Sequence, residues 1–265
     1  MNRNKSMMMT VDLEPDWGSG DTSNLETVTP KLLDFFDDHK IRATFFVVGS
    51  LAEKHGDVIK EISRKHEIAS HSLTHPNLGK LDAPGLESEV SDSKKLLEML
   101  GVKVLGFRAP MCVMNPGLTG SLLRNGYLYD SSVSCSWFPG RYNNFFRKPE
   151  PYFHEVYKEA DNRKQILELP IPNFSAFRIP FGLPFIRLLH PVSMWRLKPK
   201  YMMYMHPTEF LETPPGGRES FLVRKLYGRN RGNNAWKIFE DLVSRMDADF
   251  ISCSDFIRLR YPGLL

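Results

Sequence analysis

The run His71-Ser72-Leu73-Thr74-His75-Pro76 is the densest cluster of possible metal ligands in the chain. Two histidines four apart fall on one side of a helical turn, which would aim both imidazoles at one cation. Ser72 and Thr74 are small hydroxyl residues suited to hold the rings in place. Histidines at this spacing also arise by chance, but these follow a short apolar run, at the edge where α/β sheets place ligands. Asp12-Leu13-Glu14 closes an earlier apolar run, and residues two apart in a strand face the same side. One carboxylate can complete a His-His-carboxylate set that leaves positions open for water and substrate. The other can act as general base on that water. Asp16, two residues on, suits a turn cap.

Two further strand ends carry chemistry. Arg108, in Gly106-Phe107-Arg108-Ala109-Pro110, would pair with a carboxylate if aimed into the same cavity; otherwise it is a solvated strand-end arginine. Tyr204-Met205-His206-Pro207-Thr208-Glu209 delivers a histidine to a strand end again, where it could serve as a general acid.

The elements that must position these groups alternate along the chain. Met8 to Leu13 reads as a first strand, and Thr29-Pro30 opens a helix with Thr29 as N-cap. Ala43 to Val48 is an apolar run of the kind covered on both faces, followed by a helix from Gly49-Ser50 to His66. Glu67 to Ser70 is a brief strand leading to His71. A helix over Ala83–Leu100 capped by Gly101, a strand over Val102–Phe107 and a helix over Asn115–Asn125 complete this half. Parallel strands with crossover helices follow from that order. Between Ser134 and Asp161 the pattern dissolves into aromatics, Arg, Asn and Pro, as in a long surface excursion. Strands near Ile166–Pro170, Tyr201–Met205 and Phe250–Ser252 and a helix over Ala235–Met246 follow. The expectation is a single α/β domain over residues 1–265, a distorted (β/α) barrel.

Composition narrows the function. The 265 residues are 42% hydrophobic and 25% charged, which excludes a disordered or collagen-like chain. A formal charge of +4 is too small for a dedicated nucleic-acid binder. Cys112, Cys135 and Cys253 are scattered, which argues against a disulfide framework and a cysteine zinc site. Met7 to Val11 meets Asp12 too soon for a signal-peptide core, so the expected location is the cytoplasm. The segment 174–189 is apolar and carries arginines. It reads as a flap over the barrel or as a peripheral contact with the inner face of a membrane. Arg224, Lys225, Arg229 and Arg231 read as a solvated loop.

The order of Asp12-x-Glu14, Thr44-Phe45-Phe46-Val47-x-Gly49, His71-Ser72-x-x-His75-Pro76, Phe107-Arg108-Ala109-Pro110, Tyr129-Asp130-Ser131-Ser132 and His206-Pro207-x-Glu209 resembles the polysaccharide deacetylase family with the NodB homology fold. The likeness runs from about Met8 to Phe256. It implies a distorted (β/α) barrel that removes acetyl groups from sugars with a divalent metal, often zinc. Carried over by position, it implies His71 and His75 as metal ligands, Asp12 as base, Arg108 holding Asp12, and His206 as acid. The family pattern has two adjacent aspartates at its first motif. Leu13 stands at the second position here, so the ligand role passes to Glu14, with Asp16 as the other candidate.

Asp130 falls near the family's fourth motif and is expected to orient His206 or contact substrate. A backbone N–H near Tyr129–Ser131 would hold the oxyanion, and Glu209 would support the site from behind. Trp137 is either a wall for the acetyl methyl or a core residue. The expected function is metal-dependent N-deacetylation of a sugar in a surface-glycan precursor, one that could be lipid-linked. The alternatives are hydrolysis of non-sugar amides on the same scaffold and non-catalytic glycan binding.

Overall fold

Ser6–Leu13 carries no charge before Asp12, and every residue after Ser6 is buried, so this segment (β1) forms the middle of a sheet rather than an edge. The computed structural model describes residues 5–16, 20–138, 142–144, 146–147, 149–156, 164–174, 178–195, 197–198, 200–212 and 225–265. After β1 come α1 (Ser23–Thr27), α2 (Thr29–Asp38), β2 (Ala43–Val47), α3 (Leu51–Ser63), β3 (Glu67–Ser70), α4 (Ala83–Glu98), β4 (Gly106–Phe107), α5 (Leu118–Arg124) and β5 (Tyr129–Asp130). The second half adds β6 (Trp137–Phe138), β7 (Tyr142–Asn143), β8 (Tyr152–Val156), β9 (Lys164–Glu168), α6 (Leu183–Leu188), β10 (Met202–Met205), α7 (Asn233–Arg245), β11 (Asp249–Ile251) and α8 (Cys253–Arg260).

The strands pair in the order β10-β1-β2-β3-β4-β5-β9-β8, with β11 beside the start of β1. Every pair in this sheet is parallel except β8 with β9. Among the described residues β10 and β8 end the path unpaired with each other, so the sheet curls into an incomplete, distorted (β/α) barrel.

Strand alternation divides the apolar residues into two cores. Met7, Met9, Val11, Phe45 and Phe107 point outward and pack under helix residues such as Phe36, Leu86 and Leu242. Met8, Phe46, Ala69, Tyr129, Leu167 and Met202 point inward, and Phe256 and Ile257 of α8 join them. Full burial of each such side chain contributes roughly 1.5–3 kcal/mol. Continued to the strand ends, the inward set reaches Asp12 after Met8 and Thr10, His71 after Ala69, Arg108 after Gly106, and His206 after Met202 and Tyr204. Gly106 is required where it stands, because a Cβ there would lie 1.9 Å from Tyr129 Cζ.

Several expectations need correction. The strand over Val102–Phe107 shrinks to β4, whose register partners on β5 are only Tyr129 and Asp130. Helix α2 is capped at Val28 rather than Thr29, because α1 runs almost directly into it and the Thr29 hydroxyl donates instead to the Asn24 carbonyl. The stretch between Ser134 and Asp161 is not only surface. It holds the β6–β7 hairpin and β8, and Ser134, Cys135 and Ser136 are buried. In the 174–189 segment Phe181, Leu183 and Ile186 are fully buried, as a packed flap requires, while 175–177 lie outside the described residues. No helix among the described residues is long and apolar enough to cross a membrane.

Candidate active site

The inward-facing strand ends meet in a cavity of about 170 Å³ lined by Asp12, Glu14, Asp16, His71, His75 and His206, among others. At its floor Glu14, His71 and His75 offer one oxygen and two nitrogens that all lie within 4.8 Å of one another. Glu14 Oε2 is 2.6 Å from His75 Nε2 and 3.6 Å from His71 Nε2. The His71 ring is held from behind, 2.8 Å from the Arg108 carbonyl at Nδ1. A carbonyl only accepts, so Nδ1 carries the proton and the Nε2 lone pair faces Glu14. His75 Nε2 is buried and makes no aligned hydrogen bond despite its short distance to Glu14.

An orphaned imidazole nitrogen, a lone pair fixed toward the same carboxylate and an oxygen between them fit a divalent cation. Burial alone would raise the Glu14 carboxyl, but the two imidazoles outweigh it and hold it well below its ordinary value. Burial would lower His75, and Glu14 overrides that and raises it. Glu14, not Asp16, joins the two rings; Asp16 is buried on the cavity wall, and its backbone closes a turn with Asp21 and Gly20. Trp17 lies outside the described residues.

The two histidines do not sit on a helical turn. Ser72 and His75 take left-handed backbone angles, φ 65° and 63°, and the segment is an irregular loop. Such angles are uncommon for residues with a Cβ and persist only where the surroundings impose them. Here Glu89 of α4 imposes them. Its carboxylate accepts the N–H groups of Leu73 at 2.8 Å and Thr74 at 2.9 Å and the Thr74 hydroxyl at 2.6 Å. Ser72 Oγ accepts the His75 N–H at 3.1 Å. Ser72 and Thr74 thus hold the loop rather than the rings. Sequence reading missed Glu89, although a signal was present: it falls on the buried stripe of α4 between Leu86, Val90 and Ser93.

Asp12 is 5% exposed and meets Arg108, whose side chain is fully buried. Arg108 Nη1 donates to Asp12 Oδ1 at 2.6 Å and to Thr10 Oγ1 at 3.1 Å, while Nη2 donates to Ser131 Oγ at 2.9 Å. The guanidinium also lies 4.0 Å from the centre of the Phe46 ring, a cation–π contact inside the barrel. Burial works against its charge, and Asp12 prevails and raises its pKa.

His206 faces the carboxylates from β10. Its Nε2 is 3.8 Å from Asp12 Oδ2 and 3.9 Å from Glu14 Oε1. Its Nδ1 lies 3.1 Å from Glu209 Oε1, and Glu209 Oε2 accepts from Arg187 Nε at 2.9 Å. Burial would lower His206, but the Glu209 contact and the nearby Glu14 and Asp12 raise it to about 9. A cation on Glu14 would pull that value down again by placing like charge beside the ring.

Asp130 does not join this group. Tyr129 points inward, so Asp130 points outward, where it accepts from Ser132 and stands in register with Glu168. Glu209 occupies the orienting position expected of Asp130. The N–H groups of Tyr129 and Ser131 are bound to the carbonyls of Leu105 and Phe107 within the sheet, which removes them as oxyanion donors. Trp137 is 49% exposed, neither core nor cavity wall. Arg231 is not a solvated loop residue: it is 7% exposed and lines the cavity, as does Arg187. Arg224 of the same basic cluster lies outside the described residues.

Comparison with known proteins bears on the family and the fold. Residues 2–129 match the family model described as polysaccharide deacetylase. A peptidoglycan-N-acetylglucosamine deacetylase of Bacillus cereus is 28% identical over 137 residues, 51% of this chain and 59% of that protein. A chitooligosaccharide deacetylase of Sinorhizobium fredii is 33% identical over 72 residues, 27% of this chain and 34% of that one. The chain therefore aligns with less than two thirds of either relative. Among solved structures, a putative polysaccharide deacetylase from Mycobacterium smegmatis superposes with a TM-score of 0.61 at 22% identity, covering 98% of this chain and 92% of that one. A pseudoenzyme of the same fold from Bacillus anthracis superposes at 0.53 with 14% identity, covering 97% and 66%. The fold is thus shared with a protein described as a pseudoenzyme, and function must be argued from the site.

Proposed function

We propose that the whole chain, residues 1–265, is one catalytic unit of the polysaccharide deacetylase family, whose model residues 2–129 match, and that it hydrolyses the N-acetyl group of a sugar. The observation that carries this reading is the buried, unbonded Nε2 of His75 beside Glu14, with His71 Nε2 turned to the same point. A divalent cation held by Glu14, His71 and His75, zinc on the chemistry of two imidazoles and a carboxylate, would polarise an amide carbonyl and ease deprotonation of water.

The chain's own groups supply the rest. Asp12 takes the proton of the attacking water, and Arg108, itself held by the Thr10 hydroxyl, fixes the direction of its carboxylate. His206, kept cationic by Glu209, presents Nε2 to the cleft and protonates the departing amine. Arg108, Glu209 and Arg187 are positioning residues.

The substrate is an N-acetylated sugar of a surface-glycan precursor, met in the cytoplasm or at the inner face of the membrane. Leu189, Val192 and Trp195, 37%, 68% and 80% exposed, support contact with a lipid-linked form. Co-sedimentation with liposomes tests that part, and recovery only in the supernatant would remove it.

Metal analysis of the purified protein followed by acetate release from a panel of N-acetylated sugars tests the main reading. Stoichiometric zinc with release from at least one sugar is expected. Release only from non-sugar amides, or glycan binding without release, would overturn it.

A further inference from the structure

One wall of the cleft carries more positive charge than the positioning of His206 through Glu209 requires. Arg187 of α6 and Arg231, just before α7, both line it, and both are almost wholly buried, at 2% and 7% exposure. Two guanidiniums buried near one another are costly unless anions offset them. The offset present is partial. Arg187 donates from Nε to Glu209 at 2.9 Å and from Nη1 to the carbonyls of Tyr227 and Arg229 at 2.8 and 2.6 Å. Arg231 donates from Nε to the Leu211 carbonyl at 3.4 Å and from Nη2 to the Thr208 carbonyl at 2.5 Å.

Carbonyls orient a guanidinium but do not neutralise it. Arg231 has no carboxylate within ion-pair distance among the described residues; burial first, then the like charge of Arg187, lowers its pKa, and the charges of Glu209 and Asp16 offset that only in part. Arg187 Nη2 and Arg231 Nη1 donate no hydrogen bond among the described residues. Two anchored cations, each with an unused donor, border the same cavity as the ligand group. A divalent cation on Glu14 would add two further positive charges to that cavity.

We propose that Arg187 and Arg231 form an anion subsite, so that the sugar deacetylated here carries a negative group, a carboxylate or a phosphate ester. This rests on the deacetylase reading and names its substrate class. Guanidinium forks suit either oxyanion, because both present two coplanar or near-coplanar oxygens to a pair of N–H donors.

The test uses the full chain loaded with zinc and three matched N-acetylated sugars: neutral, carboxylated and phosphorylated. The kcat/KM for acetate release is expected to be about tenfold higher or more for one of the charged sugars, and which one identifies the anion. Arg231→Gln, whose amide nitrogen takes the place of the Nε that donates to the Leu211 carbonyl, should cut the charged-to-neutral ratio by about tenfold. Arg231→Lys should keep part of the preference. A wild-type ratio near one, or a ratio unmoved by Arg231→Gln and Arg231→Lys, would overturn the subsite. Titration of inorganic phosphate into chelator-treated protein gives a second readout independent of turnover. Phosphate should bind the wild type and bind Arg231→Gln about tenfold more weakly. If no sugar releases acetate, the deacetylase reading fails, and the phosphate titration still decides the subsite: equal binding by wild type and variant, or none by wild type, rejects it.

Discussion

Glu89, in the second turn of α4, holds the backbone N–H of Thr74 at 2.9 Å and thereby sets the loop that carries His71 and His75. Its three short bonds to residues 73 and 74 make the spacing of the two imidazoles a tertiary property, not a helical one. Replacing Glu89 by Ala should loosen that loop without touching a ligand. The expected loss in metal affinity is about 10–100-fold, read by competition with a chelator. Wild-type affinity in a folded Glu89→Ala protein would reject this role.

Asp12 and Arg108 form a pair with almost no exposure. Asp12→Asn should lower kcat by about 10²–10⁴-fold while zinc content stays unchanged. It also leaves the Arg108 charge buried without its anion, at a cost on the order of 3 kcal/mol seen as a lower Tm. Full activity in this variant would remove Asp12 as the base.

His75 Nε2, the atom proposed to meet the metal, makes no structural hydrogen bond. His75→Ala should therefore lower the bound metal per chain, with little change in the far-ultraviolet circular dichroism. An unchanged metal stoichiometry would end its assignment as a ligand.

Asp130 and Glu168 stand in register on adjacent parallel strands, both fully buried, on the face of the sheet away from the cleft. Burial first pushes both carboxyls up, Glu168 to about 8, and the Glu168 charge raises Asp130 further. A carboxyl that holds its proton to about pH 8 when folded, against 4.5 otherwise, binds that proton more tightly in the native state. Its contribution to stability is full below pH 4.5 and is lost as pH rises through about 8. Glu168→Gln keeps an oxygen for the Val133 N–H and removes the titration. The variant's Tm, relative to wild type, should climb between pH 6 and pH 9, by an amount equivalent to a few kcal/mol at most. A constant difference across that range would contradict it.

The strand ends that carry Asp12, His71, Arg108 and His206 were legible because each follows a short apolar run whose alternation can be counted locally. The same counting would have placed Asp130 outward, since Tyr129 beside it is the inward residue. Glu89 too was visible in principle, as a charge on an apolar stripe. The limits of the β4 strand and the antiparallel β8 were not legible, because pairing partners decide them, and those partners lie 23 residues away for β4 on β5 and 8 to 16 residues away for β8 on β9.

What the sequence by itself determined is the alternation of elements and the side of the sheet each candidate residue faces, because periods of 2 and 3.6 are properties of neighbouring residues. Only the tertiary structure decided that Glu14 rather than Asp16 meets both imidazoles, that Glu209 rather than Asp130 backs His206, and that Arg187 and Arg231 share a wall of the cleft. Those outcomes are distances between segments far apart in the chain, fixed by how the helices and loops pack across the curled sheet.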